Sequence, residues 1–266
     1  MIKNIIWFFI YIICLLLILP FAVSVFYGNI SVKNESPLEQ YVLGVLAAEM
    51  PVSYHTEALK AQAVAARTYA LSYSDGQAYL SRTEMEKRFT EKDIERLEEI
   101  INSTAGEIIL YEGTPIESVF HAISAGYTEN SENIWAAQLP YLTSVDSSSD
   151  KNAKGYIENK IVTTSEIKQK LGDVSDIKIT KRTDAGYVTE VQVDEYTISG
   201  QQMRDLFQLR STHFDITAVS GGFLFTNRGH GHGVGMSQHG ANAMAQAGHT
   251  YEDILKHYYQ GTELSK

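Results

Sequence analysis

The chain has 266 residues, of which 44% are hydrophobic, and a formal net charge of −10 at pH 7. This composition is sufficient for one sizeable hydrophobic core or two smaller ones. The acidic balance argues against a nucleic-acid-binding protein, which needs a basic face, and against non-specific adhesion to an anionic polymer. A partner is therefore expected to bind in a shaped cleft.

The first segment of the chain is apolar. Residues 5–27 contain no charged side chain, and at about 1.5 Å per residue they are long enough to cross a bilayer as a helix. One lysine precedes them, so the positive-inside rule places residues 1–4 in the cytoplasm. We predict a retained transmembrane anchor at 5–27, a stalk at 28–36 and an extracytoplasmic domain at 37–264 of a single-pass protein of the cell membrane. A cleaved signal peptide is the alternative, because residues 22–24 have a small-x-small pattern.

The pattern after the stalk predicts a helix that ends in a carboxylate. Val42, Val45 and Leu46 recur at helical spacing, and Glu49 falls on the same face. Pro51 ends the helix, because the residue before a proline is disfavoured in the α conformation. An apolar face and a helix C-terminus both disfavour negative charge, so the pattern predicts a raised pKa for Glu49, as a general acid needs. In the alternative interpretation, Glu49 lies at the helix end and is solvated.

A second helix is predicted from Thr56 to Ser74. Thr56 is suited to cap its N-terminus, and its middle is rich in alanine, so that another backbone can approach closely. Lys60 and Arg67 lie on one stripe of this helix. A cation among alanine and valine side chains is expected to be paired or directed at a ligand. The alternative for Arg67 is an exposed position at the edge of the stripe.

A candidate site follows further along the chain. A charged helical run is predicted at 84–102, and the strands EIILY and PIESVF flank a turn at 112–113. His121 and Ser124 lie where the second strand enters a loop that contains Gly and Asn, a common position for functional side chains. A structural hydrogen-bonding role is the alternative for His121.

The second half of the chain alternates short strands and helices after a polar segment, 147–160, that breaks the apolar pattern. The predicted helices are 164–171, one from 201, 237–247 and 251–259, and the predicted strands are 177–182, 187–193, 214–219 and 223–226. Together these patterns predict an α+β fold in which helices pack on antiparallel strands, with a smaller inserted lobe at 156–214 and a central cleft.

The segment 228–240, RGHGHGVGMSQHG, has the most unusual local composition. Its glycines free the backbone for close approach of a ligand or a neighbouring segment. His230 and His232 are two residues apart and share one face if the segment is extended. With His121 or His239 they form a candidate zinc set. Substrate contact, packing and a purely structural turn are the other interpretations.

Two long motifs resemble the signature of the stage II sporulation protein D family: AAEMP with EALKAQAVAARTY, and GHGHGVGMSQHGANAMA with YEDILKHYYQGTEL. The resemblance covers residues 37–264, and the domain is shared with amidase-enhancer proteins. It implies a peptidoglycan lytic transglycosylase, a glycan-cleaving lyase, in which Glu49 is the catalytic residue. The residues that the resemblance implies for substrate binding are Lys60, Arg67, His121, Ser124, His232 and Gln238.

The same resemblance implies a setting. Family members degrade the septal wall for engulfment during sporulation, acting on peptidoglycan glycan strands that an amidase, stage II sporulation protein P, has stripped of peptides. Stage II sporulation protein M is the implied membrane scaffold. Some members hold zinc with cysteines near the position of His121. The single cysteine here, Cys14, lies in the apolar first segment, so no metal or other cofactor is expected in the exported domain.

Two other functions remain open at this point. The chain is also consistent with a non-catalytic, wall-binding enhancer of a separate amidase, or with a zinc hydrolase built on His121, His230 and His232. Trp135 and Tyr141 are candidates to stack on sugar rings, although aromatic residues in such a loop equally serve as anchors in a small core.

Overall fold

The computed structural model describes residues 36–72, 77–135 and 137–266. The predicted cytoplasmic residues 1–4 and the predicted anchor 5–27 lie outside these ranges. Across the described ranges, no helix combines the length and the apolar content that a membrane crossing requires.

Two helices open the described chain. Helix α1 is Pro37–Glu49 and helix α2 is Thr56–Ser72. Helix α1 ends at Glu49, in agreement with the stop signal of the proline two residues later. Helix α2 is buried from Ala58 to Thr68 at every position except Lys60, because its alanines allow neighbouring helices to approach from several sides.

The charged run that was predicted as one helix is two helices. Helix α3 is Arg82–Arg88 and helix α4 is Glu91–Ser103. The break comes from a capping box: the Thr90 side chain accepts from the backbone N–H of Asp93, and the Asp93 carboxylate accepts from the backbone N–H of Thr90. These hydrogen bonds satisfy backbone donors at the start of α4, so a new helix begins here and the single helix predicted at 84–102 is divided.

The strands form four small sheets within the described residues. Their orders are β11-β1-β2, β10-β3, β4-β9-β8 and β5-β6-β7, and every pair is antiparallel except β3 with β10. The single strand predicted over PIESVF, 115–120, is wrong, because only its ends are in strands: Pro115 belongs to β2 and Phe120 to β3. The strands are β1 Ile108–Tyr111, β2 Thr114–Pro115, β3 Phe120–His121, β4 Ile157–Thr163, β5 Ile177–Arg182, β6 Val188–Val193, β7 Tyr196–Ser199, β8 Phe214–Val219, β9 Gly222–Arg228, β10 Met236–Ser237 and β11 Glu263–Ser265.

The remaining helices complete two hydrophobic clusters. One cluster joins α1, α2 and α4 to the C-terminal helices, and the second runs from Val162 to Phe225 around β4 to β9. The predicted smaller lobe, 156–214, overlaps the second cluster. Mixed helices with antiparallel sheets confirm the predicted α+β class. These helices are α5 Glu132–Trp135, α6 Thr164–Leu171, α7 Gly200–Phe207, α8 Gln238–Gln246 and α9 Tyr251–Tyr258.

The backbone of the Gly-rich segment leads to a stability prediction. Gly235 has φ +71°, and a Cβ there would lie 2.1 Å from the carbonyl oxygen of Val119. We expect Gly235→Ala to lower the free energy of unfolding by about 3 kcal/mol, because left-handed strain and a backbone clash add. Gly248→Ala is the matched control: φ is +98°, nothing lies within 4 Å, and only the strain of about 1 kcal/mol applies. Urea unfolding of both variants measures the difference, and equal losses would contradict the argument.

Candidate functional site

Glu49 is at the surface, contrary to the burial expected from its helix face. It is the last residue of α1, its side chain is exposed, and the next residue, Met50, takes the buried position at 3% exposure. The expected burial is therefore wrong: Glu49 keeps its helical position, but α1 reaches the surface at its last two residues, Ala48 and Glu49. The alternative interpretation, a carboxylate at a solvated helix end, describes its environment.

The structure brings Glu49 and Gln238 together. The Gln238 amide nitrogen Nε2 donates to Glu49 Oε2 at 3.2 Å, and Gln238 itself is 6% exposed at the start of α8. A second contact fastens the turn after Glu49 to the same helix: the backbone N–H of His55 donates to Asn242 Oδ1 at 2.7 Å. Glu49 and Gln238, which are far apart in sequence, therefore lie on one surface. Among the described residues, the polar side-chain contact of Glu49 is this neutral amide.

Arg67 does not reach this surface. It is 1% exposed, and its guanidinium makes a bidentate pair with Glu39, from Nε to Oε1 at 2.9 Å and from Nη2 to Oε2 at 2.8 Å. A further nitrogen donates to the carbonyl of Glu107 at 3.0 Å. Glu39 is ten residues before Glu49, or about 15 Å along α1. Arg67 is therefore paired, one of the two roles expected of it, and we correct its implied role in substrate binding to fixing α1 on α2.

Lys60 is half-buried and paired. Its Nζ donates to Glu57 Oε1 at 2.8 Å and lies 5.5 Å from the ring centre of Tyr251. Glu57 also accepts from the backbone N–H of Tyr251. Burial alone would raise the pKa of Glu57, but the hydrogen bonds from Lys60 and Tyr251 lower it overall. Lys60 therefore joins α2 to α9, and its predicted contact with substrate stays a prediction.

His121 and His232 lie together, with ring centroids 5.6 Å apart. His121 is 4% exposed and donates through Nδ1 to the carbonyl of Val234 at 3.0 Å, which leaves Nε2 buried without a partner among the described residues. His232 accepts through Nδ1 from the N–H of Val234 and donates through Nε2 to the carbonyl of Phe120. Burial lowers the pKa of His121 to about 4 and, with His121 nearby, that of His232 to about 3. Both rings are neutral near pH 7, and their predicted substrate contacts remain predictions.

Ser124 is fully buried, and its partner is a residue that the sequence analysis did not identify. Its N–H and Oγ–H both donate to Asp150 Oδ2, at 2.9 and 2.5 Å, and Asp150 is also fully buried. His239 Nδ1 lies 3.2 Å from the other oxygen of Asp150. Because both Ser124 and His239 bond the carboxylate, no serine–histidine pair forms, and a serine nucleophile is not built here. The surface contact expected of Ser124 is replaced by a structural one.

Asp150 was missed because it lies in a polar, serine-rich stretch, 147–160, that has no periodic pattern. Its burial depends on tertiary packing of the turn Ser148–Asn152, which local sequence does not encode. His239 was named only as a candidate zinc ligand. The histidine spacing carried no information on a carboxylate that lies 89 positions earlier in the chain.

The histidines of the Gly-rich segment do not converge. His230 Nδ1 accepts from Arg210 Nη2 at 2.9 Å, whereas His232 uses both ring nitrogens on backbone groups. Within the described part of the chain, no group of three or more His, Cys, Asp or Glu side chains has the arrangement of a metal site. Trp135 is 44% exposed with its ring centre 5.1 Å from that of His232, whereas Tyr141 is 8% exposed and accepts from the N–H of Glu117. Of the two aromatic residues, Trp135 alone offers a surface for stacking.

The Glu49 surface and the histidine pair are joined by one small sheet. Strand β10 pairs in parallel with β3, so that Ser237 lies opposite His121, and Gln238 follows directly. The fold and the site together define an α+β domain that presents a helix-terminal glutamate beside a Gly-rich, histidine-containing segment.

Comparison with known proteins identifies the family of this domain. A family model described as "Stage II sporulation protein" matches residues 27–111. Stage II sporulation protein D of Bacillus subtilis (strain 168) is 40% identical over 90% of this chain and 77% of its own length, and that of Bacillus amyloliquefaciens is 39% identical over the same shares. The chain belongs to the stage II sporulation protein D family, which confirms the resemblance. The chain is also similar to an amidase enhancer of Bacillus subtilis (strain 168), at 26% identity over 84% of this chain and 40% of that protein.

The buried ion pair of Arg67 predicts a large loss of stability on truncation. Arg67→Met removes the guanidinium from beside the nearly buried Glu39 carboxylate, and we expect the free energy of unfolding to fall by about 3–5 kcal/mol. Arg82→Met is the matched control, because Arg82 is 54% exposed and its pairs with Glu86 and Glu98 are worth about 1 kcal/mol or less. Urea unfolding compares the two. Similar losses of unfolding free energy in the two variants would show that the Arg67–Glu39 pair contributes no more to stability than the exposed pairs of Arg82.

The neutral histidines predict acid sensitivity. In the unfolded chain a histidine has a pKa near 6.5, and the folded values for His121 and His232 are about 4 and 3. Between these limits the unfolded state binds more protons, so stability falls as pH drops below 6.5, by up to about 1.4 kcal/mol per pH unit for each proton. His232→Gln removes one such group and should make the loss shallower. Thermal midpoints measured from pH 7 to pH 4 test this, and parallel curves for the two proteins would refute it.

Proposed function

We propose that the chain is a lytic transglycosylase that cleaves the glycan strands of peptidoglycan. The observation that carries the proposal is the environment of Glu49, an exposed carboxyl whose described side-chain partner is a neutral amide. In the described structure this carboxyl contacts no cation, an arrangement suited to a group that acts first as an acid and then as a base.

One carboxyl is sufficient for this reaction, whereas ordinary glycosidases use two. Two acidic residues near the Glu49 surface are already engaged: Glu57 with Lys60, and Asp150 in its buried hydrogen bonds. In the proposed step, Glu49 protonates the glycosidic oxygen as it leaves C1 of muramic acid. The resulting carboxylate takes the proton of the C6 hydroxyl of the same sugar as that oxygen bonds to C1. The products are a 1,6-anhydromuramic end and a free hydroxyl on the leaving sugar, and water is not consumed.

The setting of the proposal follows the family. We propose that the chain acts on peptide-stripped glycan in the septal wall during engulfment, anchored in the cell membrane with residues 37–264 on the extracytoplasmic side. The proposed partners are the amidase stage II sporulation protein P and the scaffold stage II sporulation protein M. Kinship with an amidase enhancer supports association with an amidase.

A second candidate function rests on the same relative. A chain similar to an amidase enhancer over 84% of its length is a candidate for a non-catalytic, wall-binding activator. In that case the Glu49 surface would hold glycan without cutting it, and activity would appear only when an amidase is present.

The test is a digest of peptide-free glycan strands by the full chain, purified in mild detergent and analysed by mass spectrometry. We expect anhydromuramic ends from the wild type, and a rate at least about a hundredfold lower from Glu49→Gln, which keeps the shape but removes the acid. Glu86→Gln is the matched control, because this glutamate is 56% exposed on α3 and its partner among the described residues is Arg82.

The products separate the candidates. Reducing ends would identify a hydrolase and contradict the single-carboxyl step. Full activity in Glu49→Gln would show that Glu49 is not the acid. If the chain alone forms no product but stimulates an added amidase, the result would favour the enhancer function.

A further inference from the structure

A second pair of side chains lies next to the Glu49 surface and has no part in the step just described. Asp150 is fully buried, and its Oδ2 accepts from Ser124 and from Ser147 Oγ at 2.9 Å. Its Oδ1 faces Nδ1 of His239 at 3.2 Å. Burial alone would raise the pKa of Asp150, but the hydrogen bonds from His239 and Ser124 lower it overall. Asp150 is thus a buried carboxylate that can only accept hydrogen bonds.

This contact sets the tautomer of His239. Because the carboxylate has no hydrogen to give, the single hydrogen of the neutral imidazole is on Nδ1, and Nε2 then carries a lone pair. The side chain of His239 is 22% exposed, and Nε2 has no partner in the described part of the chain. The ring therefore presents a fixed hydrogen-bond acceptor to the solvent.

The pair is connected to Glu49 through the start of α8. His239 follows Gln238, whose amide contacts Glu49, and consecutive Cα atoms are about 3.8 Å apart. The start of α8 therefore places His239 next in the chain to the residue that contacts Glu49.

We propose that His239 is a glycan-contacting residue, whose Nε2 accepts a hydrogen bond from a sugar hydroxyl beside the bond that Glu49 cleaves, and that Asp150 is the residue that positions it. The identity of the ligand as glycan rests on the proposed function. At this position Nε2 selects a sugar hydroxyl over a carboxylate. A hydroxyl can donate the hydrogen that the Nε2 lone pair accepts, whereas a carboxylate has no hydrogen to donate.

The tautomer is tested first, without substrate. In Asp150→Asn, the Ser124 N–H can only donate, so the amide oxygen takes the place of Oδ2 and the amide NH₂ faces His239. The ring must then accept at Nδ1 and carry its hydrogen on Nε2. In ¹⁵N-histidine spectra of the full chain in detergent at alkaline pH, we expect Nδ1–H in the wild type and Nε2–H in Asp150→Asn. A wild-type His239 with its hydrogen on Nε2 would overturn the proposal.

The contact itself is tested by binding of peptide-free glycan strands to Glu49→Gln, which removes cleavage from the measurement. Adding His239→Ala should weaken binding about 3- to 10-fold, the value of one hydrogen bond. Adding His239→Gln should restore most of the affinity, because its amide oxygen also accepts. Adding His249→Ala should change nothing, because His249 is exposed in the loop after α8. Equal binding with and without His239→Ala would overturn the proposal.

The kinetic outcomes keep this inference separate from the proposed function. In a cleaving enzyme, His239→Ala and Asp150→Asn should raise KM more than they lower kcat, a split that a fold defect would not produce. Circular dichroism checks the buried Asp150 variant for folding, and His239→Gln keeps the test valid if that variant unfolds. Cleavage by the wild type with no effect of His239→Ala rejects the contact alone. Binding that depends on His239 without any cleavage supports the contact and rejects the enzyme. No binding to Glu49→Gln rejects the contact.

Discussion

The burial of α2 is the constraint on which the rest of the structure depends. Between Ala58 and Thr68 only Lys60 reaches the surface, so the helix must be surrounded by α1, α4 and the C-terminal helices. A charged side chain in such a helix is tolerable only with a partner, since an uncompensated buried charge is strongly destabilising. The bidentate pair of Arg67 with Glu39 meets this requirement and fixes where α1 begins.

The position of Glu49 follows from that pair. With the start of α1 fixed, its end is set by helix geometry and by the proline stop two residues beyond Glu49. Helix α8 packs against α2, and its first residue, Gln238, then meets the Glu49 carboxyl. The parallel pairing of β3 with β10 brings His121 opposite Ser237 and aligns the histidine pair with the start of α8. The motif arginine thus serves the site indirectly, through the framework and not by touching a ligand.

Sequence patterns were sufficient where the deciding interactions are local. The stop after Glu49 and the strand Ile177–Arg182 depend on residues a few positions apart, and the proline and the alternating spacing predicted them. Patterns failed where the decision is made between distant segments. The spacing that placed Glu49 on an apolar face holds only while the helix continues, and the burial of Asp150 depends on Ser124 and on His239, 26 and 89 positions away. A polar stretch can become a buried centre only through partners that periodicity does not reveal.

The proposed reaction places two requirements on one carboxyl. A group that must act first as an acid and then as a base cannot be held in one protonation state by a strong ion pair, and an exposed glutamate with an amide partner meets that condition. In the proposed reaction, other groups must then position the sugar. Neutral hydrogen-bonding groups can do so without changing the proton affinity of the acid. Neutral acceptors and donors such as Gln238 and His239 are suited to this task. The charged groups Asp150 and the Lys60–Glu57 pair are kept in buried or paired positions, where they order the framework and make no contact with Glu49 in the described structure.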